Sequence, residues 1–387
     1  MKLTSLLALA FSFGPIRASP STTTTTTVIP STPAAELSDV TWRSSAAGFD
    51  APKVSPVNAT TWDWWYFDAI QSPAPEGERA SVVVTLYTAV PTAFHLLGAF
   101  ASAGYTSLTL VETEVSWPNG TTEMFLFNAT EATITVLGDS ASGVWDAPIG
   151  TASFNGTPDL SSYRVELNSP YVSGSITLRS NAPAHYPCGP PVAGQNLQIA
   201  PHIGWANAIP GADAEVQLIV HGEELSFTGL GYHDKNWGDQ NFASSVGAWY
   251  WGHGRLGAYT VVWFDFLTPQ MDNYISAYVS RDNKVIACQC QGIQVRPYGE
   301  NSAYPPLLST GLPTGYNITI ALPPDDGRIF AFSATGEHFI SGGPGRHIYT
   351  RWSGSLKGNV DGEELTGEAI FEQFKLFNQT TIMWHGY

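Results

Sequence analysis

The chain has 387 residues with 17 Lys+Arg against 33 Asp+Glu, a formal net charge of -16, and 13 Trp, 16 Tyr and 19 Phe, so aromatic side chains nearly match charged ones in number. At 13% charged and 43% hydrophobic residues this is the composition of a chain with a large core, not of a disordered one. Its few lysines cannot neutralise a phosphate backbone, which excludes nucleic acid as a partner.

In chain order, Met1 to Ala18 reads as a secretory signal: Lys2 gives the positive end, Leu3 to Phe13 the apolar stretch and Ile16-Arg17-Ala18 the cleavage site. Residues 19–40 follow as a Thr/Ser/Pro-rich leader expected to lack a fold, with Ser21 to Thr27 open to O-glycosylation. Beyond the signal, no run of about 20 apolar residues offers a membrane-spanning helix, so stable membrane insertion is not expected. Asn-x-Ser/Thr sequons at Asn58, Asn119, Asn128, Asn155, Asn317 and Asn378 fit passage through the secretory pathway, to secretion or to a lumen. Gly and Pro recur every few residues. The segments between them are short and rich in β-branched and aromatic residues, which predicts an all-β protein. Strands are expected over Ser81 to Thr88, Ser107 to Ser116, Thr130 to Leu137, Tyr163 to Leu167, Gly174 to Leu178, Ala214 to Val220, Tyr259 to Phe266, Tyr274 to Ser280, Tyr316 to Ala321 and Glu368 to Phe377. No segment sustains a helical apolar period over three turns. The aromatic and polar stretch Gly229 to Gly257 interrupts this patterning and is taken as the junction between an N-terminal domain, 41–236, and a C-terminal one, 237–387. Three cysteines are too few for a disulfide scaffold, but Cys188 has Cys288 or Cys290 as a long-range partner.

Standard signatures fail. Gly252-His253-Gly254-Arg255-Leu256-Gly257 matches GxGxxG, yet it runs into Tyr259-Thr260-Val261-Val262 and opens no helix, so it is no dinucleotide site. The histidines lack ligand spacing. No metal and no cofactor are expected.

Three constellations carry the chemistry. In Trp62-Asp63-Trp64-Trp65-Tyr66-Phe67-Asp68, strand alternation puts Trp64, Tyr66 and Asp68 on one face and Asp63, Trp65 and Phe67 on the other. In Gly231-Tyr232-His233-Asp234-Lys235-Asn236-Trp237-Gly238, an acid, a base and a cation sit between aromatics. In the third, Trp249, Trp251, His253 and Arg255 share a face, and on the following strand Tyr259, Val261, Trp263 and Asp265 share one. An Asp among Trp and Tyr on a buried strand has its pKa raised unless Arg255 or Lys235 pairs with it. Such a site suits a hydrophobic small molecule, and the available chemistry is proton transfer, hydrogen bonding to a carbonyl and conformational restraint.

These three stretches, with Val262-Trp263-Phe264-Asp265, resemble the hydroxyneurosporene synthase-like (carotenoid 1,2-hydratase-like) family, in particular its fungal branch of natural-product cyclases and Diels-Alderases. The resemblance runs from about Trp62 to the C-terminus. It implies two lipocalin-like or β-sandwich domains, a ligand pocket in or between them, and no cofactor. Asp234 and Trp237 match the hydratase pattern and Asp265 its downstream acid, whereas Lys235 stands where that branch has His. The function this implies is a Diels-Alder or hetero-Diels-Alder closure on a meroterpenoid or polyketide intermediate. Lys235, His233 or Arg255 would bind a carbonyl, Asp265 or Asp234 would assist loss of water, and Trp64, Tyr66, Asp68, Trp237, Trp251, His253 and Trp263 would line the site. Acid-base cyclisation or hydration of an epoxide or alkene through Asp265 or Asp68 is the alternative, and a lipocalin-like carrier the third reading.

Overall fold

The computed structural model describes residues 24–323, 325–343 and 348–378; the expected signal, Met1 to Ala18, lies outside them. Two large antiparallel sheets make the molecule. A 13-stranded sheet takes the chain from Thr25–Pro30 to Glu223–Gly238, and a 9-stranded sheet takes it from Ala248–Leu256 to Glu363–Lys375. Both curl, so each encloses part of the core on its concave side and packs on its neighbour through the other. Chains closed this way bury strands on both faces, which erases the period-two alternation of a half-buried strand. Trp62–Gln71 and Tyr259–Leu267 are of this kind, buried almost throughout, whereas Ser162–Asn168 at the periphery alternates strictly.

The same effect corrects the reading of Gly229 to Gly257. It does not interrupt the strands: Glu223–Gly238 and Ala248–Leu256 run through most of it, and both are covered on two sides. The leader is corrected as well. Thr25–Pro30 pairs antiparallel with Glu131–Leu137, because β-branched Thr and Val fit an extended edge position once a partner strand is available.

Trp64, Tyr66 and Asp68 face the second sheet, and Asp63, Trp65 and Phe67 face the concave interior of the first. Across the interface stand Trp249, Trp251 and His253, with the Tyr66 and Trp251 rings 5.6 Å apart. Tyr250, Trp263 and Asp265 point the other way, into the interior of the second sheet. Gly252 is glycine for a packing reason: a Cβ there would lie 2.3 Å from Cζ2 of Trp263. Cys188 pairs with Cys290, tying the loop after Val172–Ser180 to the far edge of the second sheet, and Cys288 stays a free thiol.

One short helix bears on the site. Leu97–Ser102 has no side-chain cap at its start, but it ends in a Schellman turn. Gly104 takes φ +94, its N–H bonds Ala101 O and the next N–H, of Tyr105, bonds Phe100 O. At six residues it is too short to show helical periodicity in the sequence. No helix among the described residues is long and apolar enough to cross a membrane.

Candidate active site

A cavity of about 510 Å³ lies between the two sheets, roofed by residues 94–100 of the helical segment. That is the size of a small-molecule site. Trp64, Phe94, Phe100 and Phe374 supply apolar walls, and Tyr66, Tyr87, Glu112, Glu114, Tyr349, Arg351 and Glu372 supply polar groups.

Glu112 and Glu114 are two residues apart on Leu110–Ser116, so both point from the same face of that strand. Arg351 and Glu372 reach the same place from the neighbouring strands Tyr349–Val360 and Glu363–Lys375, where they are register partners. Glu372 is saturated. Its Oε1 accepts from Trp249 Nε1 at 3.0 Å and its Oε2 from Tyr349 Oη at 2.6 Å and from Arg351 Nε and Nη2 at 3.1 and 3.0 Å. Arg351 Nη1 donates to Glu114 Oε2 at 3.0 Å, and Tyr87 Oη donates to Glu112 Oε2 at 2.7 Å. Two carboxyls, Glu114 and Glu372, therefore share one guanidinium, and a third, Glu112, stands beside them on Tyr87. Burial, then the neighbouring Glu112 carboxyl, push Glu114 up to about 8, with Arg351 opposing. Burial also raises Glu112, against the Tyr87 hydrogen bond and Arg351. Both carboxyls are therefore biased toward their protonated forms. Glu112 meets the cavity: it keeps 8% of its surface accessible, against 1% for Glu114.

Behind Tyr66 runs a second polar layer. Tyr66 Oη donates to Asp68 Oδ2 at 2.7 Å, and His253 Nε2 lies 2.8 Å from the same oxygen with its ring stacked on Tyr232. Tyr232 Oη and Trp205 Nε1 both donate to Asp234 Oδ2 at 2.7 Å; burial raises Asp234 to about 7 against those bonds.

Of the residues singled out from sequence, the structure brings Trp64 and Tyr66 to the cavity wall and puts Asp68, Trp251, His253 and Asp234 in the interface behind it. The others are elsewhere. Lys235 and His233 face the interior of the first sheet. Lys235 Nζ donates to Asp63 Oδ2 at 3.0 Å and to Ala51 O at 2.9 Å, and His233 stacks on Phe67 with Nε2 3.2 Å from Asp50 Oδ2. Trp237 packs in that interior and donates to Thr41 O. Asp265 lies inside the second sheet, accepting from Tyr304 and Asn273 and pairing with Arg296 at 3.1 Å; Trp263 packs there on Phe332. Arg255 pairs with exposed Asp213 at the rim. So neither Lys235 nor Arg255 partners Asp265, and none of the three reaches the cavity. Strand alternation is the reason: Lys235 is one residue from Asp234 and points to the opposite face.

The groups that line the cavity were missed because Glu112 and Glu114 alternate with Val111, Thr113 and Val115, which in sequence reads as a solvent-facing edge. The available signal was acidic residues at alternate positions of a strand in a charge-poor chain. His95, also in the wall, was missed too; both its ring nitrogens lack a partner among the described residues, and burial holds its pKa below the usual value. Among the sequons, Asn119, Asn155, Asn317 and Asn378 are exposed, and Asn58 and Asn128 are half-buried.

Comparison with known proteins agrees with this architecture. The Diels-Alderase-like family model matches residues 25–297. The quinolone epoxide rearrangement protein asqO of Emericella nidulans is 36% identical over 333 residues, 84% of this chain and 87% of that protein. The Diels-Alderase poxQ of Penicillium oxalicum is 28% identical over 292 residues, 73% of this chain and 62% of that protein. Among solved structures, CghA with Sch210972 superposes with a TM-score of 0.72 at 18% identity, covering 91% of this chain and 99% of that one, a likeness of fold. A family match over most of the chain and a relative sharing a third of its residues place it: the chain belongs to the Diels-Alderase-like family of enzymes.

Proposed function

We propose that this chain is a cofactor-independent cyclase of fungal secondary metabolism that isomerises a hydrophobic epoxide-bearing intermediate by acid catalysis. The observation that carries this reading is the placement of two buried carboxyls, Glu112 and Glu114, side by side at the wall of an aromatic cavity, where burial favours their protonated forms. Glu112 donates its proton to the epoxide oxygen as a C–O bond breaks, and positive charge develops on the carbon released. The Trp64 ring and the surrounding carboxylates stabilise that charge. An internal nucleophile closes on the carbon, and the proton it loses returns to the pair. Atoms balance, nothing is oxidised, and water stays outside. A quinolone epoxide, the class named for the asqO relative, is the test substrate. In water labelled with oxygen-18 the product should carry no label, and Glu112→Gln and Glu114→Gln should each lose turnover. Full turnover in both variants would sink the proposal.

A Diels-Alder or hetero-Diels-Alder closure is the second reading, favoured by the apolar walls and by relatives such as poxQ. It depends on shape rather than on a proton. Trp64→Ala would then impair turnover and Glu112→Gln would not. Kinship with the hydroxyneurosporene synthase-like hydratases belongs to the same proposal, since a carboxyl that protonates an epoxide also suits an alkene. We further propose passage through the secretory pathway, supported by the Cys188–Cys290 bond and the exposed sequons; a glycosidase-induced mobility shift tests it.

A further inference from the structure

A second hollow, about 420 Å³, opens on the seam where Thr122–Asn128 of the first sheet meets Ile329–Ser341 of the second. It adjoins the first cavity: Met124, Ser341 and Gly342 line both. Met124 stands between the two, 39% exposed, and its unbranched thioether is the side chain best able to swing aside. Phe339, 37% exposed, forms the apolar floor beyond it.

The walls are pinned. Thr122 Oγ1 donates to Phe339 O at 2.8 Å, and His338 Nε2 donates to Gly77 O at 2.8 Å. Glu337 takes the N–H of Gly77 at 2.9 Å and pairs with Arg79. Gly120 leaves room for the His338 ring, since a Cβ there would lie 2.8 Å from Nδ1. Apart from Glu337 Oε1, which has no hydrogen-bond partner among the described residues, these polar groups of the wall are engaged with the protein, while two large apolar side chains are left open to the hollow. Exposed apolar surface next to a ligand cavity marks a binding groove.

We propose that this groove is a second subsite, which holds a non-reacting alkyl or isoprenoid chain of the same molecule whose reacting part occupies the first cavity. The inference rests on the proposed function for the use of the first cavity. Its wall shared with that cavity, through Met124, Ser341 and Gly342, selects a substrate tail over a protein partner.

Neutral 4-quinolones with straight alkyl chains from methyl to nonyl test it, with binding read by quenching of tryptophan fluorescence and by calorimetry in the whole chain. The expected result is tightening by about three- to fourfold per added methylene, from the transfer free energy of a buried CH₂. This tightening should continue through the longest chains in the wild type and stop at a shorter chain in Met124→Trp and in Phe339→Asp. Equal length dependence in all three proteins, or no dependence on length, absence of binding included, would overturn the proposal. Turnover separates the two readings. Glu112→Gln that stays fully active on the quinolone epoxide refutes the proton donor and leaves the subsite standing, whereas loss of turnover with a flat length series does the reverse.

Discussion

The first sheet buries two clusters of ionisable side chains, one on each face, and they differ in balance and in access. Inside the concave face, two basic side chains, Lys53 and Lys235, stand against two acidic ones, Asp50 and Asp63. Lys235 Nζ sits 3.8 Å above the Trp65 ring, and the Lys53 backbone N–H donates to Asp63 at 2.8 Å. On the opposite face, three acidic side chains, Glu112, Glu114 and Glu372, stand near a single guanidinium, Arg351, which bonds Glu114 and Glu372, and they border a cavity. A balanced buried cluster holds a fold in one arrangement. An unbalanced one beside a cavity must keep a proton, and that proton is available for chemistry.

The sharpest way to break this contrast is to neutralise the two clusters separately. Glu112→Gln should cost about 10²- to 10⁴-fold in turnover of a quinolone epoxide, the usual worth of a general acid, with little loss of stability; kcat and urea unfolding read both. Lys235→Ala should do the opposite. It leaves Asp63 buried without its cation, a loss of about 3–5 kcal/mol in unfolding free energy, while turnover per folded molecule stays closer to wild type. A Lys235→Ala protein that is as stable as wild type but inactive would invert the assignment of the two faces.

The pH dependence sharpens the comparison, because the two faces slope in opposite directions. Glu114 has a folded value of about 8 above its ordinary 4.5, so its contribution to stability is complete below about 4.5 and is lost as pH rises through 8. Burial lowers Lys53 to about 7 from 10.5, so the unfolded chain holds that proton more tightly and stability rises between about 7 and 10.5. Glu114→Gln should flatten the first slope and Lys53→Met the second, as read from unfolding midpoints across pH. Turnover should fall as pH rises through the raised range in which the Glu112 carboxyl loses its proton. Tyr87→Phe removes a bond that favours the Glu112 carboxylate, so this alkaline limb should move upward. The smallest effect is expected at the rim. Arg255→Ala breaks only an exposed pair with Asp213, worth up to about 1 kcal/mol, and turnover should not change.

The all-β class was legible because turn residues and β-branched runs are local signals. The faces of Trp62–Gln71 were legible too, since alternation alone separates Trp64, Tyr66 and Asp68 from Asp63, Trp65 and Phe67. Which face borders a ligand was not, because that depends on what a distant strand lays over it. Lys235 stands out in sequence as a rare cation among aromatics, and the fold pairs it with Asp63 in the interior of the first sheet. Glu112 looked like ordinary surface until the strands around residues 351 and 372 covered it. Local patterns report orientation within a sheet, whereas a cavity is assembled by pairings between strands some 240 residues apart, as in the Arg351–Glu114 contact.

The Cys188–Cys290 bond gives the interface an asymmetry. In sheet order, it lies toward the flank built from Gln198–Ala200 and Asn273–Arg281, whereas the cavity lies toward the flank built from Leu110–Ser116 and Tyr349–Val360. The first flank is covalently stitched; the second is closed across the seam by non-covalent contacts, among them Thr122 to Phe339, Ser72 to Glu368 and the buried Arg351–Glu114 pair. The two sheets are therefore bound like the covers of a book along one spine, and the cavity lies at the margin that no covalent bond closes.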